Sequence, residues 1–554
     1  MPSITITEID VTSGGGSSTN LNVVYVPGFM TTDSTAWPKD NNPAKKKTPT
    51  LCKSVAEFER FFGTRPATWP DGSNTVFDKS YLYAKELLNL GLPVLYESIN
   101  DKTDTSTPSE SAMYLAMAGD LFTSRTNKDG LDEKSEYSFK YLTSGGYPTF
   151  YYSPAATSPS VTYTESPIKG EAVQLNLQDV QIGGKNVTYR ITFNNNVWTL
   201  TKEGDSTFTP KECTGAINNT VSPGQYEISY NGKVIYKLYA TGHKFTDGEY
   251  VTIDFNDGGF PTSNKFYEVV GTTDTSIATK MLKLAEDRGD CIALIDHPNM
   301  PSATLVGTNS YYNKFKTFGE AATNGDYGAA FTPWVNINCI TYTPKVVAGE
   351  KERNNSIFSM PPSFGYLAAL AKSIKTNASW LAVAGASRGQ IPNLDADKPL
   401  NINGKITNSI AESEYQNRDS VSINAITNIK PFGHRIWGNR TLKHNGATGE
   451  NNLTATSFLN IRNMICDVKK VVYDACKKFT FEQNNDVLWL NFKSAIEPTL
   501  NQMKTGAGLN GYKIIKGQTS EKAKLVAVIK LYPLYAVEDF EISVEMRDDE
   551  VSVK

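Results

Sequence analysis

Histidine is nearly missing from this chain: His243, His297, His434 and His444 are the four in 554 residues, so any imidazole chemistry has to draw on them. Cysteine is sparse as well. Cys52, Cys213, Cys291, Cys339, Cys466 and Cys476 are scattered, with no CxxC pair and no histidine at zinc-ligand spacing. That pattern points away from a disulfide framework or a zinc site and leaves small buried apolar side chains as the expected role. Long apolar runs are lacking: no stretch approaches the ~18–20 residues of a membrane helix. The opening MPSITITEID has neither the basic stretch nor the apolar stretch of a secretory leader. The expectation is assembly in a reducing cytoplasm, without membrane insertion. An excess of one charge is lacking too, since 55 Lys+Arg face 58 Asp+Glu for a net charge of −3. Nothing there favours a nucleic-acid partner. Gly14-Gly15-Gly16 lacks the Lys-Ser/Thr of a phosphate loop, and no fixed-period repeat is present.

What is there is a globular composition of 39% hydrophobic residues and 41 glycines, long enough at roughly 150 residues per domain for several domains. Residues 3–11 alternate apolar and polar and are followed by GGGSS at 14–18, a strand on a tether. LNVVYVPGF (21–29) reads as a strand. Ser54 with Glu57 forms a capping box for a helix ended by Gly63. A second helix at 79–90 stops at Gly91 and runs into the strand PVLYESI, so this region has α/β order. A helix-like SAMYLAMAGDLF and a strand at 137–146 follow. Between about 150 and 272 the chain turns rich in Tyr, Thr, Asn, Val and Gly, with alternating runs and an Asn-Gly turn at 231–232. A helix at 276–288 and the apolar strand CIALIDHP then resume the α/β pattern, so the β-rich stretch reads as an insertion. The last third offers a helix after Pro361-Pro362, the strand-like segment WLAVAG (380–385), a long helix at 457–478 and another near 488–503. Two strands close the chain, LVAVIKLYP (525–533) and DFEISVEMRD (539–548). In the second, Phe540, Ile542, Val544 and Met546 share one face.

Candidate chemistry is thin. Gly385-Ala386-Ser387-Arg388-Gly389 fits the G-x-S-x-G pattern of hydrolase nucleophiles, but Pro392 places Ile391 in an extended conformation where such an elbow needs a helix at once after the serine. His434 and His444 are the downstream bases, and His434 is bracketed by Arg435 and Arg440 with no nearby acid. Arg288-Gly289-Asp290 matches an adhesion tripeptide but falls at a helix end. Asp254 to Gly258 imitates a calcium loop whose glycine comes one position early and whose closing glutamate is missing. The residue reading therefore assigns no catalytic, metal or cofactor site and expects no enzyme. It leaves two amphipathic terminal strands, each able to add to another chain's sheet. The 457–478 helix carries Lys469, Lys470, Lys477 and Lys478 opposite its apolar stripe, a face that is either solvated or turned towards a partner.

Several blocks together resemble the contractile tail sheath family of bacteriophages and related contractile injection systems. They are SVAEFERFFG (54–63), YLTSGGYP (141–148), LAEDRGDCIALIDHP, AAFTPWV (329–335), MPPSFGYLAALA (360–371), AVAGASRG, GHRIWGNRTL (433–442), FEQNNDVLW (481–489) and GAGLNGYKI (506–514). The resemblance spans most of 50–150 and 276–548. It implies a multidomain α/β (α+β) fold of nested sheath domains with an inserted all-β domain and strand-forming arms. The expected divisions are an N-terminal arm (1–20), the N-terminal part of the core (21–100), a middle domain (101–153 and 273–350), a β-rich insertion on the outer surface (154–272), an inner domain (351–535) and a C-terminal arm (536–554). It further implies a subunit that polymerises as hexameric rings into a helical sheath in a virion tail and contracts to drive the tube through the target envelope. The partners would be further copies of itself, the tail tube, the baseplate and the tail terminator, and assembly would occur in the host cytoplasm. No cofactor is implied. Ile4, Ile6, Ile9, Val11, Phe540, Ile542, Val544 and Met546 are the expected inter-subunit arm contacts, and Lys469, Lys470, Lys477 and Lys478 the tube-facing cations. The competing reading is a surface adhesin or carbohydrate-binding protein that uses the β-rich insertion.

Overall fold

A computed structural model describes residues 22–71, 74–103, 108–123, 131–134, 136–149, 170–172, 187–203, 205, 207–219, 225–238, 245, 249–255, 261–267, 276–297, 299, 318–339, 357–402, 421–443 and 453–538. It is a mixed α/β protein built around one eight-stranded sheet. In spatial order the strands are Thr50–Cys52, Val94–Ser98, Val24–Gly28, Tyr141–Leu142, Ile292–Ile295, Gly328–Thr332, Asn424–Ile429 and Gly433–Trp437. The six inner strands run parallel, and the two edge strands pair antiparallel. The segments 21–100, 101–153 with 273–350, and 351–535 all contribute to it. Parallel neighbours require crossover connections, so successive β-α-β units fall into one sheet rather than into three.

The strand sequences explain why both faces are covered. Val24 and Val26 enter one core while Val23 and Tyr25 enter the other, and Ile292 and Leu294 alternate with Ala293 and Ile295 in the same way. A parallel strand buried on both faces reads as an unbroken apolar run, which is what VVYV and IALI are. On one side pack helices α1 (Val55–Phe62), α2 (Lys79–Leu90) and, further along the chain, the Pro362–Ser373 helix. On the other pack α3 (Glu110–Ala116) and α4 (Ser276–Arg288). Helix α5 is Pro362–Ser373, α6 the single turn Gly385–Arg388, α7 Leu459–Phe479 and α8 Asp486–Thr505.

Local signals hold where they are short-range. Ser54 accepts from the Glu57 amide at 3.2 Å, while Glu57 reaches back to the Lys53 amide at 2.7 Å. Gly91 ends α2 in the left-handed region at φ +96°, where a side chain would be strained. The SAMYLAMAGDLF helix is shorter than its pattern: α3 gives way to a π-turn at Met117–Leu121, where Gly119 leaves helical geometry and the Lys280 ammonium bonds its carbonyl at 3.2 Å. The strand expected at 137–146 shrinks to Tyr141–Leu142.

The β-rich stretch makes its own antiparallel sheet of eight described strands, from Pro261–Tyr267 at one end to Gly170–Ala172 at the other. Its core of Tyr189, Ile191, Trp198, Leu200, Ile228 and Leu238 is distinct from those of the central sheet. Its two end strands approach within 8 Å Cα–Cα, so the sheet rolls towards closure.

One buried acid makes the central body pH-sensitive. Asp296, at the end of the Ile292–Ile295 strand, is fully buried and caps α5. It accepts from the Ser363 amide at 3.0 Å and the Ser363 hydroxyl at 2.5 Å. Burial pushes its pKa up to about 7, against the opposing effect of these bonds. A carboxyl raised in the folded state binds more protons there than in the unfolded chain between about pH 4 and 7. Stability therefore falls as pH rises through that window, by on the order of a few kcal/mol. Asp296→Asn keeps an acceptor for Ser363 and cannot ionise, so urea midpoints measured from pH 4.5 to 8 should lose this slope in the variant.

Candidate assembly surface

Helix α7 is the element on which the C-terminal third is mounted, and two of its faces are buried. Ile461, Met464, Val468, Val472 and Ala475 pack against Phe492, Ile496, Leu500 and Met503 of α8. This is the apolar stripe visible in the sequence, and the half-buried Ile465 packs against the same core. The second face, carrying Leu459, Arg462, Cys466, Asp467 and Lys470, turns towards the central sheet. Lys140, wholly buried at the start of the Tyr141–Leu142 strand, lies 2.9 Å from the Asp467 carboxylate. Lys470 donates to Asp290 at 2.8 Å and to the Phe139 carbonyl at 2.7 Å. Arg288 completes that site through Nε at 3.0 Å and Nη2 at 3.1 Å. Burial alone would raise the Asp290 pKa, but Arg288 and then Lys470 more than reverse it and hold it at about 2. Arg462 pairs with Asp326 and lies 4.1 Å over the Tyr327 ring.

These contacts correct one reading of the sequence and agree with another. Lys470 is not a tube-facing cation, because a side chain at i+11 from Leu459 lies on the sheet side of the helix and is neutralised there by Asp290. The Arg288-Gly289-Asp290 tripeptide lies, as its position at a helix end implies, where α4 stops and the chain turns at Gly289, and its two charges pair with each other in the interior. Lys469 is half-buried beside Tyr327, its ammonium 5.7 Å from the ring, and Lys477 and Lys478 are exposed in the last turn of α7. The arm residues Ile4, Ile6, Ile9, Val11, Phe540, Ile542, Val544 and Met546 lie outside the described residues.

After α8, which Asn485 caps by accepting from Leu488 at 2.8 Å, the chain forms a hairpin of Leu509–Lys516 and Ala527–Pro533. The first of these strands is missing from the sequence reading, although LNGYKIIK already alternates. One face, with Leu509, Tyr512, Ile514, Ile529 and Leu531, packs on the α7–α8 core. On the other, Ile515, Val528 and Tyr532 are exposed, followed by exposed Leu534, Tyr535 and Val537. Among the described residues neither outer edge of the hairpin is paired to a third strand. Two strands alone are marginal in water, and an open edge displays unpaired N–H and C=O groups. The hairpin stretch 509–533 carries five lysines against Glu521.

The enzymatic pattern does not assemble. WLAVAG forms no strand, because Trp380 is drawn into the α7–α8 core and its indole bonds the Gly506 carbonyl at 2.9 Å. Ser387 is exposed on the single turn α6. A polar groove of about 490 Å³ nearby is lined by Lys372, Gln390, Asn393, Asp395, His434 and Arg435 among others, and Ser387 is not one of its residues. Burial first, then Arg435, lowers the His434 pKa. His297 is buried against the Thr332 hydroxyl at 3.1 Å. The six cysteines are unpaired, five of them buried. Among the described residues no cluster of three metal-binding side chains occurs, and no helix is long and apolar enough to cross a membrane.

The chain is 23% identical over 268 residues to the tail sheath protein of Vibrio phage KVP40. It is similar to a phage tail sheath protein. The match takes in 46% of this chain and 36% of the phage protein, so the chain spans little more than a third of the length of that relative. No family model matches. Among solved structures, the chain is similar to two of the anti-feeding prophage baseplate. For the six-fold symmetrised structure the TM-score is 0.47, with 11% identity and coverage of 99% of each chain. For the contracted state it is 0.47, with 14% identity and coverage of 99% of this chain and 98% of that one. The sheath complex of an extracellular contractile injection system, PVC, in its contracted state aligns with 50% of this chain and 69% of its own at a TM-score of 0.35 and 19% identity.

The buried lysine that pairs with α7 and the exposed lysines on α7 should separate in mutagenesis. Lys140→Met strands the Asp467 carboxylate in the interior and should cost about 3–5 kcal/mol. Lys477→Ala with Lys478→Ala should stay within about 0.5 kcal/mol of the parent. Urea denaturation of the two variants, followed by tryptophan fluorescence, checks the contrast.

Proposed function

We propose that the chain is the structural subunit of a contractile tail sheath, polymerising through its terminal strands. The observation that carries this reading is the open hairpin. Its exposed apolar face, and edges that no other described strand pairs, suit the addition of a strand, and Phe540, Ile542, Val544 and Met546 give the following segment a strand's alternating pattern. Charge supports the match: residues 539–554 hold six acids against Arg547 and Lys554, opposite in sign to the lysine-rich hairpin. The similarity to a phage tail sheath protein supports it independently. Because the donor strand and the acceptor hairpin belong to one chain, identical copies can link head to tail, and such contacts build an open helical assembly when they do not close.

In this reading the subunits stack as hexameric rings in a virion tail around a tail tube, bounded by baseplate and terminator proteins and assembled in the host cytoplasm. Contraction is a change between two packings in which the strand linkages persist while the body contacts rearrange. The N-terminal residues Ile4, Ile6, Ile9 and Val11 supply the second linkage. Lys477 and Lys478, with the half-buried Lys469, are the proposed tube contacts. Exposed ion pairs contribute only about 0–1 kcal/mol each, which suits an interface that has to release. The protein's role is mechanical, and no bond-making chemistry is assigned to it.

Two measurements test the reading. Electron microscopy of the purified chain should show hollow striated tubes, and Ile542→Asp should leave a folded monomer by circular dichroism and light scattering with no tubes. Tubes of normal length from Ile542→Asp would overturn the strand-addition reading. Co-sedimentation with the tail tube should weaken on Lys477→Ala with Lys478→Ala at low salt and differ little from wild type at high salt, where exposed pairs are screened.

A further inference from the structure

The chain does not run freely from the hairpin into its C-terminal segment. Glu538 meets Arg440 in a two-pronged pair, Nε to Oε1 at 3.2 Å and Nη2 to Oε2. Arg440 is rigidly mounted and nearly fully buried. Its amide donates to Asn424 Oδ1 at 2.7 Å, its carbonyl accepts from Asn424 Nδ2 at 2.8 Å, and its guanidinium lies 4.5 Å over the Phe458 ring. Phe458 in turn meets Tyr535 edge-on at 5.1 Å, and the Leu534 amide donates to the Gly508 carbonyl at 3.0 Å. Between these points Leu534, Tyr535 and Val537 are exposed, so little apolar burial holds the stretch.

We propose that Arg440 and Glu538 form a latch that fixes where the C-terminal segment leaves the body, holding residues 534–538 in reserve. The proposal rests on the reading that residues 539–554 pair with a neighbouring copy. The energetics favour a discrete latch over a gradual hold. Arg440 already has a buried Nη1 without a partner, so withdrawing Glu538 leaves a buried cation stripped of the acid it pairs with. Closed, the latch starts the arm at residue 539. Open, it releases five more residues, about 16 Å of extended chain. A lattice with two packings needs arms that tolerate a change in subunit spacing without unpairing, and this reserve supplies that length on demand.

The test uses the full-length chain, kept dilute enough to be monomeric by light scattering, with hydrogen exchange read at single amides. In the wild type the Leu534 amide should be protected. Glu538→Gln should speed its exchange at least ten-fold while the amides of Leu509–Lys516 and Ala527–Pro533 keep their rates, and Glu538→Asp should retain part of the protection. An unprotected Leu534 in the wild type, or equal rates in wild type and Glu538→Gln, would overturn the latch. So would hairpin amides that accelerate together with Leu534, because Glu538 would then be propping the hairpin rather than holding the tail. The readout is taken on monomers, so it stands or falls separately from the Ile542→Asp assembly experiment.

Discussion

The buried charges on α7 are the constraint on which the rest of the C-terminal third depends. Lys140 with Asp467, and Asp290 between Arg288 and Lys470, join the helix to the strands Tyr141–Leu142 and Ile292–Ile295 through buried ion pairs. Replacing such a pair with well-packed apolar groups is often neutral, whereas removing one partner strands a charge. Their effect is therefore directional: they make one seating of α7 on the sheet far better than any slid or rotated alternative. For a subunit proposed to bear tension through its ends, a mount of this kind transmits force into the body without creeping.

From that mount the surface follows by short steps. The opposite face of α7 is apolar and takes α8, the two helices together form a platform, and the 509–533 hairpin lies on it with one face buried and the other in water. The hairpin is thereby held in a fixed orientation while its edges are unpaired among the described residues, which is the condition for accepting a strand from outside. A second charge, Arg440, is fixed by Asn424 in the central sheet and reaches the end of the described chain at Glu538. Both ends of the proposed linkage thus refer back to the same sheet.

Much of the architecture is legible in the residues. Ser54, Gly63 and Gly91 mark helix ends because capping is a property of a few consecutive residues, and VVYV and IALI announce strands buried on both faces. The change of composition near 150 marks a stretch that forms a sheet and core of its own. The failures share a cause. WLAVAG looks like a strand until Trp380 finds a place in the α7–α8 core. Lys470 looks like surface because lysine usually is, and only its distance from Asp290, 180 positions away in the chain, shows otherwise.

What the amino-acid sequence determined by itself was therefore local: which segments are helical, where they stop, that the interior would be apolar without disulfides, and that the C-terminal segment has an amphipathic strand pattern. Periodicity and capping act over a few residues and can be read one segment at a time. What only the tertiary structure decided was which charges are inside, which strand edges are left open, and that Arg440 meets Glu538. Those outcomes depend on contacts between residues about 100 to more than 300 positions apart, whose free energy comes from desolvation and pairing that no single segment encodes.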